Sequence, residues 1–195
     1  MRIGILAYGS LIDDPGEELK RAEDSRTPAL TPFGVEYARQ STSRGGAPTL
    51  VPFEGGRKQN GVLIVLKEGI KESEATDMLY HRETGHTDHY NPKHLPHNPK
   101  DKVWVDRREH WEGIDVVLST RIARNIDPLT PDHLANLAIV SAKGKAGAEE
   151  RDGIHYLLMC TKAGIRTELS DAYERSILDK TGADDLKGAW KKVRE

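Results

Sequence analysis

The run GVLIVLK, residues 61–67, is the stretch that most narrows what this chain can fold into. Valine, leucine and isoleucine occupy successive positions, so a β-strand built from them is apolar on both faces. A strand with one wet face alternates apolar and polar residues; this one is therefore central and covered on two sides. Strand-like runs over residues 2–8, 35–42 and 49–53 precede it, and shorter runs over 103–106 and 115–121 follow, with Gly- or Pro-bearing breakers between. From Thr130 the texture becomes helical. Thr130-Pro131 opens a helix carrying Leu134, Leu137 and Ala138 inward, and KGKAG interrupts it. A second helix is predicted over 148–163, ending at Gly164, and a third starts at Ser170-Asp171, turns Tyr173, Ile177 and Leu178 inward and stops at Gly182. Strands early and helices late argue for an α+β fold: one domain over 1–195, with a β-rich part at 1–129 and a helical part at 130–195 packed on it.

Charge excludes several partners. Lys+Arg number 29 against 31 Asp+Glu, so no electrostatic excess points to nucleic acid or an anionic membrane, and a small polar ligand is the better expectation. The chain has one cysteine, Cys160, set in the apolar run YLLMC; it forms no internal disulfide and reads as a buried structural thiol. The lack of a long apolar run gives the expectation of a cytoplasmic protein without leader or membrane span. Oligomeric state is not legible. A His- and Pro-rich irregular segment, residues 85–100, has the composition of a lid or a site wall.

Chemistry concentrates at two points. In KESEATDMLYHRETG, stepping about four residues at a time gives Ala75, Leu79 and Glu83 on one helix face, with Gly85 ending the helix. A carboxylate on an apolar face loses hydration, and near a helix C-terminus it meets the negative end of the dipole, so Glu83 is a candidate proton carrier. The competing reading is an ion pair with Arg82, Arg39 or Arg44, which would depress its pKa instead. The second point is the end of the first strand, where Tyr8-Gly9-Ser10-Leu11 breaks an otherwise good strand. Glycine there permits a turn that aims successive N–H groups into one small volume, a receptor for a carboxylate or a developing oxyanion. Alternation with Leu6 favours packing for Tyr8, the other choice being a hydroxyl turned to the ligand. Arg44, beside paired glycines in STSRGGAP, is either an anion receptor or a solvated hairpin arginine.

AYGSLI, then RQSTSRGGAPTLV, then GVLIVL, then MLYHRETG, in that order and spacing, resemble the γ-glutamylcyclotransferases, most closely the ChaC-type, glutathione-directed branch. The later AGAEERDGIHYLLMCTKAGIRTELSDAYERSIL is similar to that branch's C-terminal helices. The resemblance implies a small mixed β-barrel with flanking helices, a substrate-binding turn at Tyr8, Gly9, Ser10 and Leu11, and Glu83 as general acid/base. It implies release of 5-oxoproline from a small-molecule γ-glutamyl substrate, with no cofactor and no metal. The sequence departs from the branch at Asp13 and Asn60, where aromatic residues are usual, at Ser43 in place of His, and at Gly85-His86 in place of Gly-Tyr, Tyr90 being the nearest tyrosine and so joining the substrate-binding set. These changes fall around the expected pocket and bear on substrate identity.

Cyclisation suits these residues, because a γ-glutamyl compound carries its own nucleophile and the sequence shows no nucleophile elbow and no Cys/His or Ser/His/Asp arrangement. Two alternatives stand beside it. His81, His86, His89, His94 and His97 crowd one region with Glu83 and Asp88, as in metal-dependent hydrolases, although no HExxH-type pair occurs. A non-catalytic module of the same fold would keep the turn for ligand capture alone.

Overall fold

The computed structural model describes residues 1–98 and 102–195; the end of the His- and Pro-rich segment thus lies outside the described residues. In chain order the elements are β1 (Ile3–Ala7), a 3-10 turn (Gly9–Leu11), α1 (Glu17–Ala22), β2 (Glu23–Ser41), a second 3-10 turn (Thr42–Arg44), β3 (Ala47–Pro52), β4 (Arg57–Leu66), α2 (Glu72–Thr84), β5 (Val103–Trp111), β6 (Ile114–Ile122), α3 (Pro131–Lys143), α4 (Lys145–Ala148), α5 (Gly153–Lys162), α6 (Ser170–Thr181) and α7 (Leu186–Arg194). The fold is mixed α+β. Six strands form one mixed sheet in the order β3-β2-β4-β1-β6-β5. As its two-sided apolar pattern requires, β4 is an interior strand, and Leu63, Ile64, Val65 and Leu66 are all buried. Among the described residues no helix is long and apolar enough to cross a membrane.

The chain divides into two compact units, each drawn from two stretches of sequence: Met1–Pro32 with Asn60–Ala123, and Phe33–Gln59 with Arg124–Glu195. In the first, β1 runs antiparallel to β4, with Ile5 opposite Ile64, and parallel to β6, with Ile3 opposite Val116. Ile3, Ile5 and Ala7 share one sheet face with Ile64, Leu66, Val116 and Leu118, and α1 and α2 cover it through Leu19, Ala22, Ala75 and Leu79. Burying a side chain of this kind contributes about 1.5–3 kcal/mol, so the helix face is set by where its apolar residues fall.

In the second unit, helices α3, α5, α6 and α7 pack on one another, and α3 and α5 also pack on β3. Tyr37 and Tyr173 are fully buried in this unit, their rings 5.4 Å apart, and Cys160 is buried as expected of a structural thiol. β4 and β5 run longer than the sequence reading, from Arg57 and to Trp111, and three further elements differ from it. The strand expected from residue 35 begins at Glu23, because its first half is polar and proline-bearing and takes its order from strand pairing rather than from burial. The helix expected over 148–163 starts only at Gly153, where Asp152 accepts the N–H groups of Ile154 and His155 and caps α5, and the KGKAG stretch read as a breaker carries the short α4. An additional helix, α7, closes the chain, capped by Asp185 on the N–H of Gly188.

Candidate active site

The first strand gives way to a built turn. Tyr8 is still extended (φ −143°, ψ 160°), and Gly9 then takes φ +60°, a conformation that strains residues with a Cβ. Gly9 and Ser10 open a 3-10 turn, so their N–H groups precede its first i→i+3 hydrogen bond and are candidate donors to a ligand. The turn is closed behind by Ile12 N–H to the Gly9 carbonyl (3.3 Å) and Asp14 N–H to the Ser10 carbonyl (3.0 Å). It is anchored beneath by Leu11, only 4 % exposed in the apolar core. Two guanidinium groups fix the chain that follows. Arg26, itself held by Glu23 (2.7 and 2.8 Å), donates to the Ile12 carbonyl (2.6 Å), and Arg82 Nε donates to the Asp14 carbonyl (2.7 Å).

Arg82 is also the residue before Glu83, so the hydrogen bond that secures the loop brings the end of α2 to it. Ala75 and Leu79 are fully buried as their spacing requires. One turn further on, the apolar face runs out, and the Glu83 side chain stands at its margin with 29 % exposure, nearer to solvent than the core position its periodicity suggests. Gly85, at φ +72°, ends the helix with its N–H on the His81 carbonyl. His81 ties the same helical turn to α1, its Nδ1 2.9 Å from Glu18. Gly16, at φ +81°, holds a conformation that strains residues with a Cβ, and a Cβ there would also press on the Arg82 side chain at 3.0 Å.

The ion pair that is the competing reading for Glu83 is loose. Arg82 Nη1 lies 3.8 Å from the Glu83 carboxylate, beyond hydrogen-bonding distance, while its Nε and Nη2 face Asp14. Among the described residues Glu83 accepts no hydrogen bond. Loss of hydration raises its pKa above the ordinary carboxylate value, with the Arg82 charge opposing only in part. The Tyr8 phenol is pushed up as well, first by burial and then by the charges of Glu83 and Asp106, which puts both acids within electrostatic reach of the tyrosine that opens the turn. Its hydroxyl stays protonated and donates to the Thr120 carbonyl (3.4 Å).

Tyr90 is placed differently. Its hydroxyl accepts the Val105 N–H (3.2 Å), its ring packs against Tyr80 at 5.2 Å, and its own N–H goes to Asp77 (2.7 Å). Val105 stands opposite Thr120, and its N–H points out of the ladder, so the hydroxyl of Tyr90 serves the outer edge of β5. Arg44 belongs to the second unit, where it stacks on the Tyr156 ring (4.8 Å) and donates to the Arg151 carbonyl (3.2 Å). The histidines are held separately: His81 by Glu18 and the Asp88 carbonyl, His89 by Asp77 (2.6 Å), and His94 beside Asn91 (3.2 Å). Among the described residues no three His, Cys, Asp or Glu side chains gather as a metal-holding group.

The candidate site thus pairs the turn at Tyr8, Gly9, Ser10 and Leu11 with Glu83, whose charge acts on the Tyr8 phenol. Sequence reasoning did not find the parts that hold it, namely Arg26, Asp14 and Thr120, because their contribution is made by or to backbone carbonyls and leaves no side-chain pattern. It also passed over Asp106. Compared with protein-family models and with curated proteins, the chain matches none.

Proposed function

We propose that this chain is a γ-glutamylcyclotransferase. The observation that carries the reading is Glu83: a partly exposed carboxylate, raised in pKa by partial loss of hydration, that accepts no hydrogen bond among the described residues, at the helix end that Arg82 ties to the loop after Tyr8-Gly9-Ser10-Leu11. The reading brings with it the family's small mixed β-barrel, a cytoplasmic setting, and glutathione as the first substrate to try. The γ-glutamyl group binds at the turn, where the Gly9 and Ser10 N–H groups receive an oxygen that is or becomes anionic. Glu83 takes a proton from the α-ammonium. The freed amine attacks the γ-carbonyl carbon and closes a five-membered ring, and the carbonyl π electrons move to the oxygen at the turn. As the tetrahedral centre collapses, the oxyanion re-forms the carbonyl, the C–N bond to the departing amine breaks, Glu83 returns its proton to that nitrogen, and the ring nitrogen, cationic since its attack, gives up its second proton so that the amine leaves in its ammonium form. The products are 5-oxoproline and the free amine, and no water is consumed.

The raised pKa of Glu83 suits both halves of this cycle, since a carboxylate closer to neutrality gives and takes a proton more evenly. Acid/base work of this kind contributes about 10²- to 10⁴-fold, and one oxyanion donor about 3–4 kcal/mol. The test is product analysis with glutathione, γ-glutamyl dipeptides and γ-glutamyl amines. Equal amounts of 5-oxoproline and free amine are expected. Glutamate in place of 5-oxoproline would identify a hydrolase, and binding without turnover of any substrate would identify a ligand-capture module.

A further inference from the structure

We propose that His81 is a proton-operated clamp: as an imidazolium it holds α1 and the segment 86–94 to α2, and on losing a proton it lets that segment go. The proposal stands whichever reaction the site performs. Both ring nitrogens of His81 are engaged, Nδ1 at 2.9 Å from the Glu18 carboxylate on α1 and Nε2 at 3.1 Å from the Asp88 carbonyl. An ionised carboxylate and a carbonyl oxygen only accept, so the two hydrogen bonds exist together only when both nitrogens carry a proton. A neutral ring has one N–H. It turns a lone pair toward either Glu18 or the Asp88 carbonyl, and that contact becomes repulsive. The imidazole is only 19 % exposed, so water does not readily replace the lost bond.

The segment that the clamp holds is lightly fastened otherwise. Among its described residues from 86 to 98, Leu95 alone is buried, so little apolar contact opposes its local opening. Asp77, one turn before His81 on α2, meets the His89 ring at 2.6 Å and accepts the Tyr90 N–H at 2.7 Å. The hydrogen bond to Asp77, and then that carboxylate's charge, pushes the His89 pKa up, so this second contact also tightens in acid and is lost as pH rises through the folded value. The charged and titratable groups around His81 are thus Glu18 on α1, Asp77 on its own helix, and His86, Asp88 and His89 on the segment. The others nearby are engaged elsewhere: Arg82 with Asp14, Lys20 and Arg21 of α1 with Glu17, and Arg107 of β5 with Glu72 at the far end of α2. β1 and β6 turn apolar residues to the helix. The segment starts just past Gly85, so its hold bears on the last turn of α2.

Amide hydrogen exchange tests the clamp, read by mass spectrometry on peptides covering 86–94. Peptides of β4 in the same molecule report that the protein is folded and correct for the intrinsic pH dependence of exchange. Wild type is expected to lose protection in 86–94 by about tenfold relative to β4 between about pH 6 and about pH 8. His81→Gln, which cannot take up a second proton, is expected to show at the lower pH most of the loss that wild type shows only at the higher. His89→Gln is expected to retain the larger part of the pH dependence. A measurement on wild type alone needs no variant to fold: ¹⁵N NMR of the His81 ring is expected to show two protonated nitrogens wherever 86–94 is protected, and the second proton to leave as protection falls. Protection independent of pH in wild type, His81→Gln keeping the wild-type pH dependence, His89→Gln abolishing it, or a neutral His81 ring under a protected segment would overturn the clamp.

Discussion

Glu83 is the residue on which the proposed chemistry turns. Its pKa is raised in the folded chain, so the stability it lends is present below the ordinary carboxylate range and is lost as pH rises through the folded value. Glu83→Gln, read by thermal unfolding at neutral pH, is therefore expected to be at least as stable as wild type; a marked fall in melting temperature would mean that the carboxylate holds the fold. The same shift sets the pH profile. Glu83 must be unprotonated to accept the α-ammonium proton, so kcat/KM is expected to rise with pH through a midpoint above the usual carboxylate range. Arg82 opposes the shift, so Arg82→Met is expected to move that acid limb to higher pH, whatever it does to the rate. At Gly9, with φ +60°, an alanine is expected to cost about 1 kcal/mol in denaturant unfolding. If Gly9→Ala proved neutral, the turn would not need its left-handed residue.

At the scale of elements, α2 was the most legible part of the chain. Ala75 and Leu79 lie where a 3.6-residue period puts them, Gly85 stops the helix, and the next position on that face is an acid. Periodicity gives a direction around the helix axis, but it does not say where the apolar partner surface ends; Glu83 was therefore read as deeper than it lies. Leu79→Ala opens a void under α2 and is expected to destabilise the protein by about 2–5 kcal/mol, measurable in denaturant titration. The first half of β2 was illegible for the opposite reason, since a strand ordered by pairing shows no alternation. Its second half contains Glu36, a buried carboxylate that accepts the N–H groups of Tyr37 (2.8 Å) and Leu169 (3.2 Å) in the second unit. Burial raises its pKa despite those bonds, so its contribution to stability declines as pH rises through the folded value. Glu36→Gln is expected to remove that part of the slope of unfolding free energy against pH, and an unchanged slope would assign it to other groups.

For the whole molecule, the sequence order of strands and helices conveyed the fold class but not the partition. Each compact unit is built from two separated stretches, a pairing of distant segments that no local pattern encodes. The histidine-rich region shows the same limit: of five histidines close in sequence, His81, His89 and His94 meet different neighbours, and proximity along the chain did not become a ligand set among the described residues. Dialysis against a chelator is accordingly expected to leave 5-oxoproline release unchanged, and loss restored by a divalent metal would return the hydrolase reading. The central claim is that one carboxylate moves the proton in ring closure. Its most direct test is single-turnover 5-oxoproline release from glutathione, or from the best γ-glutamyl substrate found, by wild type and by Glu83→Gln shown to be folded. The account expects a loss of about 10²-fold or more with substrate binding retained; turnover by the glutamine variant at the wild-type rate would contradict it.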